Sequence, residues 1–250
     1  MGEAKRRKAQ GEPPKSSRRR LRRRLLGGTV TAVVVAVLIG LYYVLTTPGV
    51  APVDDLPTAA ADAPLFPATL DRFGVSIGDA DAPVTVREFA DYQCPACARL
   101  APIMERFREE YVETGKVRFV FFDFPLEQHD NAVPAAMAAR CAGDQDAYWA
   151  MHERLYDAQS TWAETNDPMT RFADYAAALD LDTDMFNRCM LSGRHREAVT
   201  NSREAGARMR VPRTPTIYVD NIRLTQPGWY QLSGVVEREL GKARTAEASE

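Results

Sequence analysis

Hydrophobic and polar positions along this 250-residue chain follow three successive patterns. Between Leu25 and Val53 there is no charged residue, and the run "LLGGTVTAVVVAVLIGLYYVL" is about the length that crosses a bilayer as a helix. Residues 46–69 then carry five prolines among alanine and aspartate, the composition of a semi-rigid extended linker. From near Leu70 the pattern is that of a folded domain. "FGVSIG" reads as a short edge strand. "DAPVTVREFA" reads as a strand on which Val84, Val86 and Glu88 share one face. Leu100, Ile103, Met104, Phe107 and Tyr111 recur at helical spacing, which predicts a helix from about Pro95 to Thr114, stopped by Gly115. "KVRFVFFDFP" is rich in β-branched and aromatic residues and predicts a second strand. A strand, a helix and a strand of these lengths make a parallel pair with a right-handed crossover.

A nearly all-helical block follows. "NAVPAAMAARCAG", "DAYWAMHERLYDAQS", "PMTRFADYAAALD", "DTDMFNRCMLSG" and "RHREAVTNSREAGARM" each show helical spacing or caps. "TPTIYVDNIRL" then predicts two short strands around a tight turn at Asp220 and Asn221, and a last helix spans about Trp229 to Leu240. The order is βαβ, helical insertion, ββα. It divides the chain into a basic tail (1–24), an apolar span (25–46), a linker (47–69), a folded domain (70–242, insertion about 128–210) and a flexible C-terminal tail (243–250).

Charge changes the picture at the N-terminus. The first 24 residues hold eleven Lys or Arg and two Glu within an overall net charge of −2, so the rest of the chain carries −11. A basic tail can bind nucleic acid, but an uncharged span directly after it argues for a membrane instead. Arginines at 18–24 precede the span, so the positive-inside rule puts the tail in the cytoplasm and everything after residue 46 outside. Tyr42 and Tyr43 sit near the far end, where amphipathic rings favour the interface. A cleaved signal peptide is the competing reading. The tail is long for that purpose, and "GVA" before Pro52 and "TAAA" before Asp62 are poor or distant cleavage sites. A retained single-pass anchor is the expectation.

The candidate chemistry lies in "EFADYQCPACARL". Closely spaced thiols either hold a metal or exchange electrons with other thiols. Zinc needs four ligands, and Cys141, Cys189 and the three histidines show no ligand spacing, so no metal is expected. Pro95 fits the first helical turn and puts Cys94 at the N-cap, where free N–H groups and the helix dipole favour a thiolate. Cys97, one turn further in, can attack a mixed disulfide formed at Cys94. Glu88 in a buried strand is costly unless it pairs with an arginine or stays neutral; in the second case it can pass protons to and from Cys97. Thr214-Pro215 precedes a strand. A cis bond there would leave Thr214 backbone groups free to pair with an extended chain, and an ordinary trans turn is the alternative.

Taken together, "REFADYQCPAC", "FFDFPLEQHDNAVPAAMAARCA" and "RTPTIYVDN" resemble the DsbA-like branch of the thioredoxin-fold thiol:disulfide oxidoreductases, over about residues 70–242. The resemblance implies Cys94 as nucleophile, Cys97 as resolving thiol, Glu88 as buried acid and Pro215 as the cis-proline after Thr214. It implies unfolded or exported polypeptides as substrates and a quinone-linked thiol oxidase in the membrane as reoxidant. No soluble cofactor is implied. Some relatives carry a second bridge in the insertion, and outside the cytoplasm two thiols are more often joined than free. A structural disulfide between Cys141 and Cys189 is therefore expected. Ala96 stands where the best-studied oxidase of the family has a His that stabilises the thiolate. That departure leaves three duties in view: disulfide donor, isomerase or reductase on the same scaffold, and, from another class, metal delivery by the thiol pair.

Overall fold

A computed structural model describes residues 56–60 and 63–248, the side chain of Glu247 excepted. The basic tail and the apolar span, with the anchor expected there, lie outside the described residues. Among the described residues no helix is long and apolar enough to cross a membrane.

The sheet has five strands: β1 (Val75–Ile77), β2 (Val84–Ala90), β3 (Val117–Asp123), β4 (Thr216–Val219) and β5 (Ile222–Arg223). Their order is β1-β3-β2-β4-β5. Only β2 and β3 run parallel, from Val84 opposite Val117 to Ala90 opposite Asp123. The β1–β3, β2–β4 and β4–β5 pairs are antiparallel. The crossover from β2 to β3 is α1 (Pro95–Phe107), extended by a single π turn, Arg108–Val112. Gly115 follows in the left-handed region at φ 73°, where a residue without Cβ ends the helix at no steric cost. The expected helix to Thr114 is thus α-helical only to Phe107. The β4–β5 turn falls at Asp220 and Asn221, with Val219 opposite Ile222 and Asp220 at φ 51°.

Between β3 and β4 lies the insertion: α2 (Ala132–Gly143), α3 (Tyr148–Asp157), α4 (Gln159–Trp162), α5 (Pro168–Ala178), α6 (Thr183–Ser192) and α7 (Arg196–Arg208). Local chemistry sets their ends. Asp167 caps α5, accepting from the Thr170 N–H at 3.4 Å ahead of a first-turn proline. Asp182 caps α6, accepting from the Met185 N–H at 2.8 Å.

Alternation along β2 separates two cores. Val84, Val86 and Ala90 face the larger one, with Leu100, Met104 and Phe107 of α1, Phe119 and Phe121 of β3, and the insertion helices. Phe89, Val120, Phe122 and Tyr218 face the smaller one, where Phe89 stacks on Phe122 with ring centroids 4.4 Å apart. Helix α7 closes that side through Gly206, where an added Cβ would lie 2.4 Å from the Phe124 ring. Arg87 also points there. Asp71 binds its guanidinium at 2.7 and 2.8 Å, and the group lies over the Phe66 ring at 4.2 Å.

Two boundary expectations are corrected. The proline-rich segment is not a pure linker: Leu56 and Phe66 are buried, and the Pro57 carbonyl accepts from Arg238 at 2.8 Å. A 3-10 helix, Ala68–Phe73, carries the buried Leu70 and Asp71. Large apolar side chains find the domain surface even where prolines forbid regular structure. The last helix, α8 (Trp229–Glu247), runs past Leu240, so residues 243–247 of the expected flexible tail are helical. Lys242 donates twice to Glu239, three residues back, in that added turn.

Candidate active site

Cys94 is the N-cap of α1 and is followed by Pro95 at the first helical position. Its carbonyl accepts from the N–H groups of Cys97 (3.1 Å) and Ala98 (3.2 Å). Facing it is the Thr214-Pro215 peptide, which is cis. The Cys94 Sγ lies 3.7 Å from the Thr214 carbonyl oxygen, to which the thiol can donate. The structure thus brings together Cys94, Cys97, Thr214 and Pro215, residues up to 121 positions apart. Both thiols are unbridged.

The two sulfurs differ electrostatically. Donation from the Cys97 thiol holds Cys94 down at about 5, against an opposing burial effect. The Thr214 side chain and the backbone N–H groups of Cys97 and Ala96 add to the lowering. Cys97 is pushed far up, first by burial and then by its bond to Cys94 and that residue's charge. A deprotonated outer sulfur and a protonated inner one is therefore the favoured state of the reduced pair.

Glu88, 3% exposed, sits on the face of β2 turned to α1. Burial raises its carboxyl to about 8, and Arg108 offsets only part of that. Glu88 has no ion-pair partner among the described residues, because the neighbouring arginine, Arg87, points through the sheet to Asp71. Arg108 itself is paired with Glu153. The charge on Glu88 is felt by Cys97 and adds to the rise of that thiol.

Sequence reasoning missed what fixes the loop 91–94. Asp91 accepts from the N–H groups of Gln93 (2.7 Å) and Leu126 (2.8 Å) and pairs with His129 Nδ1 (2.7 Å). Gln93 donates to the Ala163 carbonyl at 2.6 Å and accepts from the Asn131 N–H at 2.7 Å. Gln159 donates to the carbonyls of Tyr92 (2.6 Å) and Cys94 (3.1 Å). The insertion therefore grips the segment that ends in Cys94. The one available signal was the polar "DYQ" ahead of Cys94, in a stretch that otherwise reads as buried.

Cys141 on α2 and Cys189 on α6 form a disulfide with Cα atoms 5.8 Å apart, closing a 48-residue separation. His195 lies near enough that the three side chains could present ligand atoms within 4.8 Å of one another. With both sulfurs bonded to each other, they offer no thiolate pair to a metal.

An acidic outer thiol on a helix N-cap, a buried partner one turn in and a cis-proline opposite define a thioredoxin-type dithiol site. The thioredoxin family model matches residues 72–238, and the chain belongs to that family. It is similar to the probable disulfide bond formation protein D of Bacillus anthracis, 30% identical over 172 residues covering 67% of this chain and 78% of the relative. In structure it is similar to oxidised BdbD from Bacillus subtilis: TM-score 0.61, 23% identity, 74% of this chain and 96% of that one. A second likeness is to alpha-DsbA1 from Wolbachia pipientis: TM-score 0.62, 22% identity, 69% and 94%. The protein is a thiol:disulfide oxidoreductase of the DsbA-like type, with a helical insertion in the thioredoxin fold.

Proposed function

We propose that the protein donates the Cys94–Cys97 disulfide to exported polypeptides outside the cytoplasm, held at the membrane by residues 25–46. In this reading a substrate thiolate attacks Cys94, and the Cys94–Cys97 bond breaks. The electron pair goes to Cys97, which takes a proton from Glu88 or through it. A second substrate thiolate then attacks the substrate sulfur of the mixed disulfide and expels the Cys94 thiolate. The substrate loses two electrons and the protein disulfide gains them. A quinone-linked thiol oxidase in the membrane would restore the disulfide.

The observation that carries this direction is the placement of Cys94 at the N-cap of α1, facing the cis Thr214-Pro215 peptide, where the Cys97 thiol and free N–H groups hold its thiol down at about 5. A stabilised leaving thiolate favours the reduced form of the pair and makes its disulfide oxidising. The Cys97 thiol, the Thr214 side chain and the backbone N–H groups of Cys97 and Ala96 supply that stabilisation, although the Ala96 side chain provides none. The uncharged span and the basic tail before it support the location.

The test is equilibration of the full chain with glutathione buffers. Donation predicts a reduction potential nearer about −120 mV than about −270 mV, the ends of the range such dithiols cover. A value near the lower end would assign the protein to reduction instead.

A further inference from the structure

We infer that the groove beside Cys94 selects polypeptide segments that carry acidic side chains next to their cysteine. This rests on the thiol-exchange reading above and adds the class of substrate.

A cavity of about 400 Å³ opens against Ala96, Thr214 and Pro215, beside the reactive sulfur. A second, of about 230 Å³, shares Arg213, Pro215 and Pro227 with it, so the two form one groove. Leu100, Ile103, Pro215 and Pro227 give it apolar walls suited to an extended chain. Its charged lining is Arg99 and Arg213 in the first part and Arg213 and Arg223 in the second, and no Asp or Glu lines either. Arg99 and Arg213 are exposed, and neither guanidinium has an ion-pair or hydrogen-bond partner among the described residues. Arg223 bonds the Tyr218 side chain, which leaves its charge uncompensated.

This concentration of cations runs against the rest of the molecule. The chain after residue 24 carries a net −11. On the other flank of α1, a cavity of about 360 Å³ is lined by Glu105, Glu109, Glu113 and Glu153, with Arg108 already paired to Glu153. Arg87, Arg106, Arg108 and Arg140 pair with carboxylates of the chain itself; the three arginines that converge on the groove have none beside them and are left for carboxylates from elsewhere. A substrate segment with Asp or Glu flanking its cysteine supplies them, while a lysine-flanked segment meets repulsion.

The experiment follows reduction of the Cys94–Cys97 disulfide in the full chain by three dithiol peptides. They are identical except for Asp, Gln or Lys on both sides of the reacting cysteine. Each rate is divided by that peptide's rate with uncharged dipyridyl disulfide, which removes differences in thiol acidity. The corrected order should be Asp, then Gln, then Lys. The extremes should differ by roughly tenfold at low ionic strength and converge in about 0.5 M salt. The Arg99→Gln/Arg213→Gln variant should compress the spread, and Arg99→Glu/Arg213→Glu should invert it. Equal corrected rates for the three peptides, or faster reaction with Lys, would overturn the inference while leaving thiol exchange standing. Failure of all three to reduce the disulfide would instead overturn the reading on which it rests.

Discussion

Replacing Glu88 with Gln should stabilise this protein at neutral pH. Burial raises the carboxyl from an ordinary 4.5 to about 8, with Arg108 recovering only part of the cost. A folded-state pKa above the unfolded value means that the native state holds its proton more tightly. The stabilising effect is complete below pH 4.5 and is lost as pH rises towards 8. The shift is about 3.5 pK units, and each is about 1.4 kcal/mol, so the loss is about 3 kcal/mol at pH 7 and about 4 kcal/mol at pH 8, approaching about 5 kcal/mol only above the folded-state value. Glutamine mimics the protonated acid in shape and carries no titratable proton. Measured by urea unfolding in a Cys94→Ser/Cys97→Ser background with the Cys141–Cys189 bridge intact, wild-type and Glu88→Gln stabilities should nearly coincide at pH 4. They should separate steadily up to pH 8, with the variant the more stable. A difference independent of pH across that window would show that Glu88 does not titrate there, and the proposed proton transfer to Cys97 would lose its basis. If that transfer operates, the same variant should be slower in thiol exchange, stability and turnover moving in opposite directions.

Four further outcomes follow from the geometry. Alkylation of the reduced protein against pH should report Cys94 with a midpoint near 5 and leave Cys97 unmodified through neutral pH; Cys97→Ala should move the midpoint upwards, since the main donor is gone. Ala96→His should lower the Cys94 pKa and raise the reduction potential, and an unchanged thiolate titration would remove position 96 from the tuning of the site. Breaking the Cys141–Cys189 bridge by Cys141→Ala/Cys189→Ala should cost about 4 kcal/mol in chemical unfolding, the chain-entropy value for a loop of this size. Gln159→Leu removes donors to the Tyr92 and Cys94 carbonyls; it should cost about 1–3 kcal/mol and slow exchange, readable by unfolding and by peptide oxidation.

The elements around the thiols were legible because local signals agree there. Alternation defined β2, the periodic run from Leu100 defined α1, and Pro95 fixed Cys94 at the helix mouth. Asp220 and Asn221 marked the β4–β5 turn. Glu88 was conspicuous as a carboxylate in an apolar alternation, and the order of segments implied the sheet. What stayed hidden was long-range and polar. Gln93, Asn131 and Gln159 look like surface residues in sequence, yet they meet at the loop before Cys94 from positions up to 66 apart. Nothing local distinguishes a glutamine facing water from one closing a buried carbonyl. Leu56 and Phe66 were lost in a proline-rich composition, although single apolar anchors there are enough to pin the segment. The end of α8 was misjudged because the stretch after Leu240 is polar, and polarity alone does not end a helix. The arginines of the groove come from α1, the "RTPT" loop and β5, so only the folded chain shows that they converge.

Consecutive residues Arg87 and Glu88 point to opposite sides of β2. One meets Asp71 beneath an aromatic cluster, and the other stands alone beneath the thiols. If β2 paired with β3 and β4 one residue out of step, every side chain would exchange sides. The guanidinium would then lie among the alanines and leucines under α1, away from Asp71, and the Glu88 carboxyl would turn to the side that holds Asp71. A slip would thus part Arg87 from Asp71 and bury an unpaired guanidinium, so this one ion pair penalises misregistered assembly of the central strand, whatever it contributes once the strand is in place.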